Sequence, residues 1–225
     1  MHIPSRFQFP VRRSASLLAL LLCAAQLVAC HHQSSTPVYA ADLKPIELPK
    51  PEITAGMPLM QALAQRKTTR AFQDQPLPLQ TLSNLLWAAF GVNRPRTVKP
   101  GLGRTAPSAM NSQDIELDVV LAEGVYVYEA EANRLRPFLA GDLRGKISSE
   151  PAAHAAVTLV YVAPAKDDYA QVDTGFIGQN VYLFASSEGL NAWFYTIHGQ
   201  DVAAALKLPT EKRALYAQSV GYPPR

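Results

Sequence analysis

Beyond residue 30 the chain contains no cysteine. Its two cysteines, Cys23 and Cys30, lie near the start, so the body can form neither a disulfide nor a thiol nucleophile. No Cys2His2 or HExxH spacing occurs, and no two histidines of the body are spaced to share a helix face, so no metal site is expected. The G-x-S-x-G and G-x-x-x-x-G-K-S/T patterns are also absent. "GLG" at 101–103 has no strand before it and no helix after it, as a dinucleotide fingerprint would need. A surplus of charge is missing as well. The net charge is +3, but Arg6, Arg12 and Arg13 all precede the first acidic residue, Asp42. Without these three the cations and anions are equal in number, and a nucleic-acid footprint is excluded.

The early arginines have another explanation. "VRRSASLLALLLCAAQLVAC" carries a positive start, an apolar run and then small residues, the pattern of an export signal. Its apolar run at 17–28 is short for a membrane-spanning helix. "LVAC" resembles a bacterial lipobox and stands directly against that run, so residues 1–29 are read as signal peptide and Cys30 as the lipidated first residue. Plain secretory cleavage after Ala40 is the alternative. The paired arginines also leave twin-arginine export open beside the general route. Residues 30–56 carry Pro37, Pro45, Pro49 and Pro51 and read as an extended tether, with His31 and His32 as tether residues. Lipid chains would hold the protein at a membrane surface. The expected location is the bacterial cell envelope, facing the periplasm. His31, rather than Asp, after Cys30 favours the outer membrane over the inner one.

The body is expected at 57–225, a length that supports one domain with a core. "PLMQALAQR" reads as a helix with Pro58 at its first turn. A second helix is predicted over "PLPLQTLSNLLWAAFG", where Leu82, Leu85, Leu86, Ala89 and Phe90 share a face and Gly91 ends it. The loop at 91–113 is longer than an ordinary connection, which suggests function. "DIELDVVLAEGVYVYEAEANRLRPF" then alternates and turns near Gly124 and Asn133, giving two or three antiparallel strands. Glu116 and Asp118 share one face of the first strand, expected to be wet. Two carboxylates two apart on one strand do not form a glycosidase pair. "AAVTLVYVA" is a buried central strand, and "YAQVDTGFIGQNVYLFASSEGL" a long helix closed by Gly189. Gly175, Gly178, Ala185 and Ser186 give that helix a stripe of small residues. A strand, a helix and a last strand follow. The order is that of an α+β fold, a mixed sheet wrapped by helices.

The chemistry on offer suits a phosphorylated, planar ligand. "RKTTRAF" at 66–72 places Arg66, Lys67 and Arg70 within five residues, with Thr68 and Thr69 among them. A continuing helix would put Arg66 and Arg70 on one face, and guanidinium groups bind phosphate through a fork of donors. A solvated helix end is the plainer reading. "APSAMNSQ" supplies Ser108, Asn111, Ser112 and Gln113, whose amides both donate and accept; an Asx-type turn is its plainer reading.

Together these segments resemble the FMN-dependent nitroreductase family. "RKTTRAF" is similar to its R-x-S/T-x-R/K-x-F opening, and "APSAMNSQ" to its P-S-x-x-N-x-Q segment. "GFIGQNVYLFASSEGL" resembles its long helix and "VGYP" its last strand. The matches fall in family order over 57–225, and the chain also looks like the dehydrogenases that oxidise azolines in modified peptides.

The resemblance implies an α+β, mainly antiparallel sheet flanked by helices, with FMN at a homodimer interface. It implies that Arg66 and Thr68 hold the phosphate and ribityl chain, and that Arg70 lies at the pyrimidine end. Pro107, Ser108, Asn111 and Gln113 would line the flavin from the partner subunit. His198 and Gly199, in "YTIHGQD", fall where the family sets backbone N–H groups against flavin N5. Arg225 stands alone where the family often has a basic pair for the phosphate. The implied reaction has two half-reactions: a small-molecule donor reduces the flavin at N5, and an acceptor such as a nitroaromatic or quinone reoxidises it. No catalytic side chain is needed. Because NAD(P)H is cytosolic, the donor of an exported enzyme stays open. Two alternatives also stay open, a dehydrogenase of azolines or other small molecules and a non-catalytic lipoprotein that binds a flavin or another ligand.

Overall fold

A computed structural model describes residues 43–94 and 103–225. The first stretch holds β1 (Ile46–Glu47), α1 (Leu59–Gln65), α2 (Leu79–Phe90) and β2 (Val92–Arg94). Then come β3 (Gly103–Arg104), β4 (Glu116–Val120), β5 (Gly124–Glu129), β6 (Arg134–Ala140) and α3 (Arg144–Ile147). The last third holds β7 (Val157–Pro164), α4 (Ala170–Ser187), β8 (Asn191–Thr196), α5 (Gly199–Ala205) and β9 (Lys212–Gly221). The signal-like segment, Cys30 and the first part of the expected tether lie outside the described residues.

Seven strands form one sheet in the order β1-β6-β5-β4-β7-β9-β8. The expected mixed sheet is, among the described residues, antiparallel at every pairing. Alternation explains its two cores. Leu117 and Val119 of β4 and Leu159 and Tyr161 of β7 face α2 and α4. Val120, Val160 and Val162 face the other way, toward Ile147 of α3 and Val202 and Leu206 around α5. β7 is therefore covered on both faces, which is why it reads as a continuous apolar run.

Leu82, Leu85, Leu86, Ala89 and Phe90 of α2 are all buried, as their spacing requires. Gly91 ends the helix in extended backbone, not in a left-handed turn. A Cβ there would stand 2.6 Å from the Trp87 carbonyl oxygen, so close approach is what demands glycine. Gly189 does close α4 at positive φ, and Leu190 N–H reaches back to the Ala185 carbonyl at 2.8 Å.

Three features differ from the sequence reading. The long loop contains a small hairpin, β2 paired with β3. The folded body also reaches back before Met57. Ile46 and Glu47 pair with β6, Leu48 is buried, and Asn133 and Ser83 donate to the Pro49 carbonyl at 2.9 and 2.6 Å. The prolines cause this: the segment offers free carbonyls that side chains can satisfy. Lastly, the face shared by Glu116 and Asp118 is dry at Asp118, which is fully buried.

The small-residue stripe of α4 has one tight point. A Cβ on Gly178 would lie 2.9 Å from the Phe194 ring. That ring cannot retreat easily, because Tyr161 and Tyr216 stand 5.6 and 5.0 Å from it, centroid to centroid. Gly178→Val is expected to destabilise the fold by about 1–3 kcal/mol through overpacking. A thermal unfolding midpoint equal to the parent's would contradict this.

Candidate functional site

The sheet ends at β8, whose outer edge would present bare backbone groups. Segment 66–72 covers it. Thr69 N–H donates to the Ala192 carbonyl at 3.0 Å, and Ala192 N–H donates to Thr69 Oγ1 at 3.2 Å. One step along, Phe194 N–H donates to the Tyr182 hydroxyl of α4 at 2.8 Å. The same hydroxyl bonds Thr68 Oγ1 at 3.0 Å.

This edge pairing corrects the expected shared helical face of Arg66 and Arg70. α1 stops at Gln65, and Arg66 is its extended C-cap. The β-branched pair Thr68–Thr69 favours extended backbone, and the edge of β8 gives it partners. The two arginines stand over different rings: Arg66 over Tyr182 at 5.4 Å and Arg70 over Trp193 at 5.3 Å. Trp193 and Phe194 are consecutive in β8 and face opposite sides. Phe194 shares the α4 side with Tyr182, so the two cations stand on either side of the strand's edge. Among the described residues, none of Arg66, Lys67 and Arg70 has a carboxylate partner. A cavity of about 510 Å³ opens along this segment, lined by Lys67, Thr69, Tyr182, Ser186 and Pro223 among others, though not by Arg66 or Arg70. Pro223 lies two residues before Arg225, which is itself exposed.

Pro107, Ser108, Asn111 and Gln113 form a second group. Their loop is fastened at the start of α4, where Ala109 N–H donates to Asp173 Oδ1 at 2.8 Å. Burial raises the Asp173 pKa, and the Ala109 N–H pulls it back down; Asp167 and Asp114 add to the rise. Arg104 Nε donates to Gln113 Oε1 at 2.9 Å, and Gln113 Nε2 to Asn111 Oδ1 at 2.9 Å. The Arg104 guanidinium also lies over the Phe90 ring at 5.0 Å. Its own pKa is lowered by burial, against the pull of Tyr128 and Glu131. Met110, Asn111 and Gln113 all have positive φ, a costly conformation for side chains such as methionine.

The two groups are fastened at different points along α4. Asp173 and Tyr182 are nine residues apart on α4, roughly 13 Å along its axis. His198 and Gly199 stand beyond the other end of β8 from Thr69. His198 is an exposed N-cap of α5, and a Cβ on Gly199 would meet the Ala214 carbonyl oxygen at 2.7 Å. The close pass of β9 is therefore a structural reason for that glycine.

The sequence reading did not single out Tyr182, Trp193, Asp173 or Arg104. Each acts on residues distant in the chain, so local pattern carries no sign of them. The edge alternation of "NAWFYT" was the one available hint, for Trp193.

The model of the family described as "Nitroreductase family" matches residues 63–222. A protein of Methanocaldococcus jannaschii named as a nitroreductase is 30% identical over 168 residues, covering 66% of this chain and 82% of its own. A solved structure from Ralstonia eutropha JMP134, likewise named as a nitroreductase, is 33% identical. It superposes with a TM-score of 0.75 over 84% of this chain and 94% of that one. A chain of the E. coli microcin synthetase complex, solved with a truncated pro-microcin bound, shares the fold. There the TM-score is 0.60 at 20% identity, over 96% of this chain and 85% of that one.

Proposed function

The chain belongs to the nitroreductase family, and we propose that it acts as an FMN-dependent oxidoreductase that passes electrons from a small-molecule donor to a small-molecule acceptor. A nitroaromatic or a quinone is the acceptor class we assign. The observation that carries the cofactor reading is a set of three cations at 66–70 that, among the described residues, have no carboxylate partner, two of them set over aromatic rings at a strand edge and the third lining a cavity. The two guanidinium groups are held by ring contacts and left open to an anion.

In this reading Arg66 and Thr68 hold the phosphate and ribityl chain, and Arg225 adds a charge from the end of β9. Arg70 lies by the pyrimidine end, where positive charge favours the reduced flavin. Pro107, Ser108, Asn111 and Gln113 come from a second copy, with His198 and Gly199 offering backbone at the end of β8. FMN, when bound, supplies two-electron chemistry that no side chain here can perform. The separation of the two groups along α4 supports a site completed by a second copy. So do the exposed apolar residues beside them: Tyr169 just before α4, Val172 and Phe176 on it, Met110 on the clipped loop, and Leu59, Met60 and Leu63 on α1. Such a surface is a candidate contact between copies. We further propose that the body is held at the periplasmic face of an envelope membrane, the outer one, through Cys30.

The test is an absorbance spectrum of the purified protein, followed by anaerobic addition of NADH, NADPH or a quinol and then of a nitroaromatic or quinone. Flavin bands that bleach with a donor and return with an acceptor are expected, in a protein that sediments as a dimer. A colourless protein that takes up no added FMN would overturn the cofactor reading. Bound flavin that no donor reduces would make the protein a flavin carrier.

A further inference from the structure

We propose that Tyr182 is the positioning residue of the anion site, one side chain that sets both the hydroxyl of Thr68 and the guanidinium of Arg66. The proposal rests on the FMN reading above. Tyr182 lies on α4, more than a hundred residues from the segment it would organise, and makes three contacts at that segment's edge. Its hydroxyl accepts the Phe194 N–H at 2.8 Å and bonds Thr68 Oγ1 at 3.0 Å. Its ring carries the Arg66 guanidinium at 5.4 Å. The side chain is also the common wall of two cavities. One is the 510 Å³ cavity lined by Lys67 and Thr69; the other, about 250 Å³, is lined by Gly175, Gly178, Gln179 and Phe194.

The hydrogen bonding has a direction once an anion is present. A hydroxyl has one proton to give and two lone pairs to receive with. An anion at Thr68 takes the threonine proton, so Thr68 Oγ1 must accept from Tyr182. Tyr182 then gives its proton to Thr68 and accepts the backbone N–H of Phe194. Every donor in the row Phe194 N–H, Tyr182 O–H, Thr68 O–H points toward the anion, and each bond polarises the next. Without Tyr182, Thr68 keeps its hydroxyl but loses the group that orients it. The ring contact with Arg66 holds the neighbouring cation in place.

Tyr182→Phe separates this from a packing role, because it keeps the ring and removes only the hydroxyl. Protein stripped of flavin would be titrated with FMN and, separately, with riboflavin, which lacks the phosphate. Tyr182→Phe is expected to weaken FMN about five- to tenfold, the size of one ordinary hydrogen bond between neutral groups, and to leave riboflavin within about twofold. Thr68→Val should reproduce that split, and in its background Tyr182→Phe should add little, as for two members of one network. Equal weakening of FMN and riboflavin would reduce Tyr182 to a structural residue and overturn the proposal. Unchanged FMN affinity, or full additivity with Thr68→Val, would overturn it too. In all three cases the parent still binds FMN and the cofactor reading stands. A parent that binds neither flavin removes that reading, and this proposal with it.

Discussion

Arg66→Ala/Arg70→Ala is expected to purify colourless and to bind added FMN at least a hundredfold more weakly than the parent. Each guanidinium sits over a ring, with no carboxylate among the described residues to compete for it. Its donors are thus available without first breaking an ion pair. A hydrogen bond from a charged donor contributes roughly 1.5–3 kcal/mol. Two such contacts exceed a hundredfold even at the low end, if they add. The structural cost of the change is small. Arg70 is exposed and Arg66 half-buried, and the edge of β8 is covered by backbone and hydroxyl groups, not by the arginines. An unfolding midpoint close to the parent's, measured without flavin, should therefore accompany the loss of colour. Lys67→Ala is the internal comparison. Lys67 is exposed and lies over no ring, so its loss should weaken FMN less than either arginine change. A coloured double variant with the parent's affinity would return the cluster to the plain reading, a solvated charged exit from α1.

That cluster also marks where sequence reasoning stopped. Its residue types were legible, because three cations and two hydroxyls in five positions are unusual in a neutral body. Their geometry was not, because it depends on where α1 ends. A helix carried through Arg70 and an extended strand from Arg66 are both compatible with "RKTTRAF". What decides is the unpaired edge of β8, about 120 residues away. The same limit hid Tyr182, which looks like any residue of a packed helix until its hydroxyl is seen against Thr68 and Phe194. Where order is local, the reading held: the buried face of α2, the meander β4-β5-β6, the central position of β7 and the glycine that closes α4. It failed on the segment around Ile46 and Leu48, since four prolines mask a two-residue strand. It also failed on Asp118, since alternation shows that residues share a face but not what covers that face.

Asp118 carries the other large effect. It sits at the middle of β4, paired in register with Val127 of β5 and Val160 of β7. It is fully buried, and among the described residues neither carboxylate oxygen has a hydrogen-bond partner. Burial, aided by the charge of Glu116 and opposed by Lys212 and Arg136, pushes its pKa up to about 8. Lys212 cannot serve as its partner, because it is held by both oxygens of Glu116 at 2.8 and 2.9 Å. Arg136 is taken by Glu129 at 2.9 Å. The sign follows from proton counts. Between the unfolded value near 4 and the folded value near 8, the native state holds a proton that the unfolded chain has lost. Stability from this group is therefore greatest below that window, falls as pH rises through it, and is level above it. The unfolding constant should shift by up to tenfold per pH unit, on the order of 5 kcal/mol across the window. Asp118→Asn keeps the shape and removes the titration. Its unfolding midpoint should match the parent's at about pH 4 and exceed it increasingly toward pH 8. Parallel curves for parent and variant over pH 5 to 8 would show that Asp118 is ionised in the fold. That in turn would require water or a shifted Arg136 to reach a carboxylate that this packing closes off.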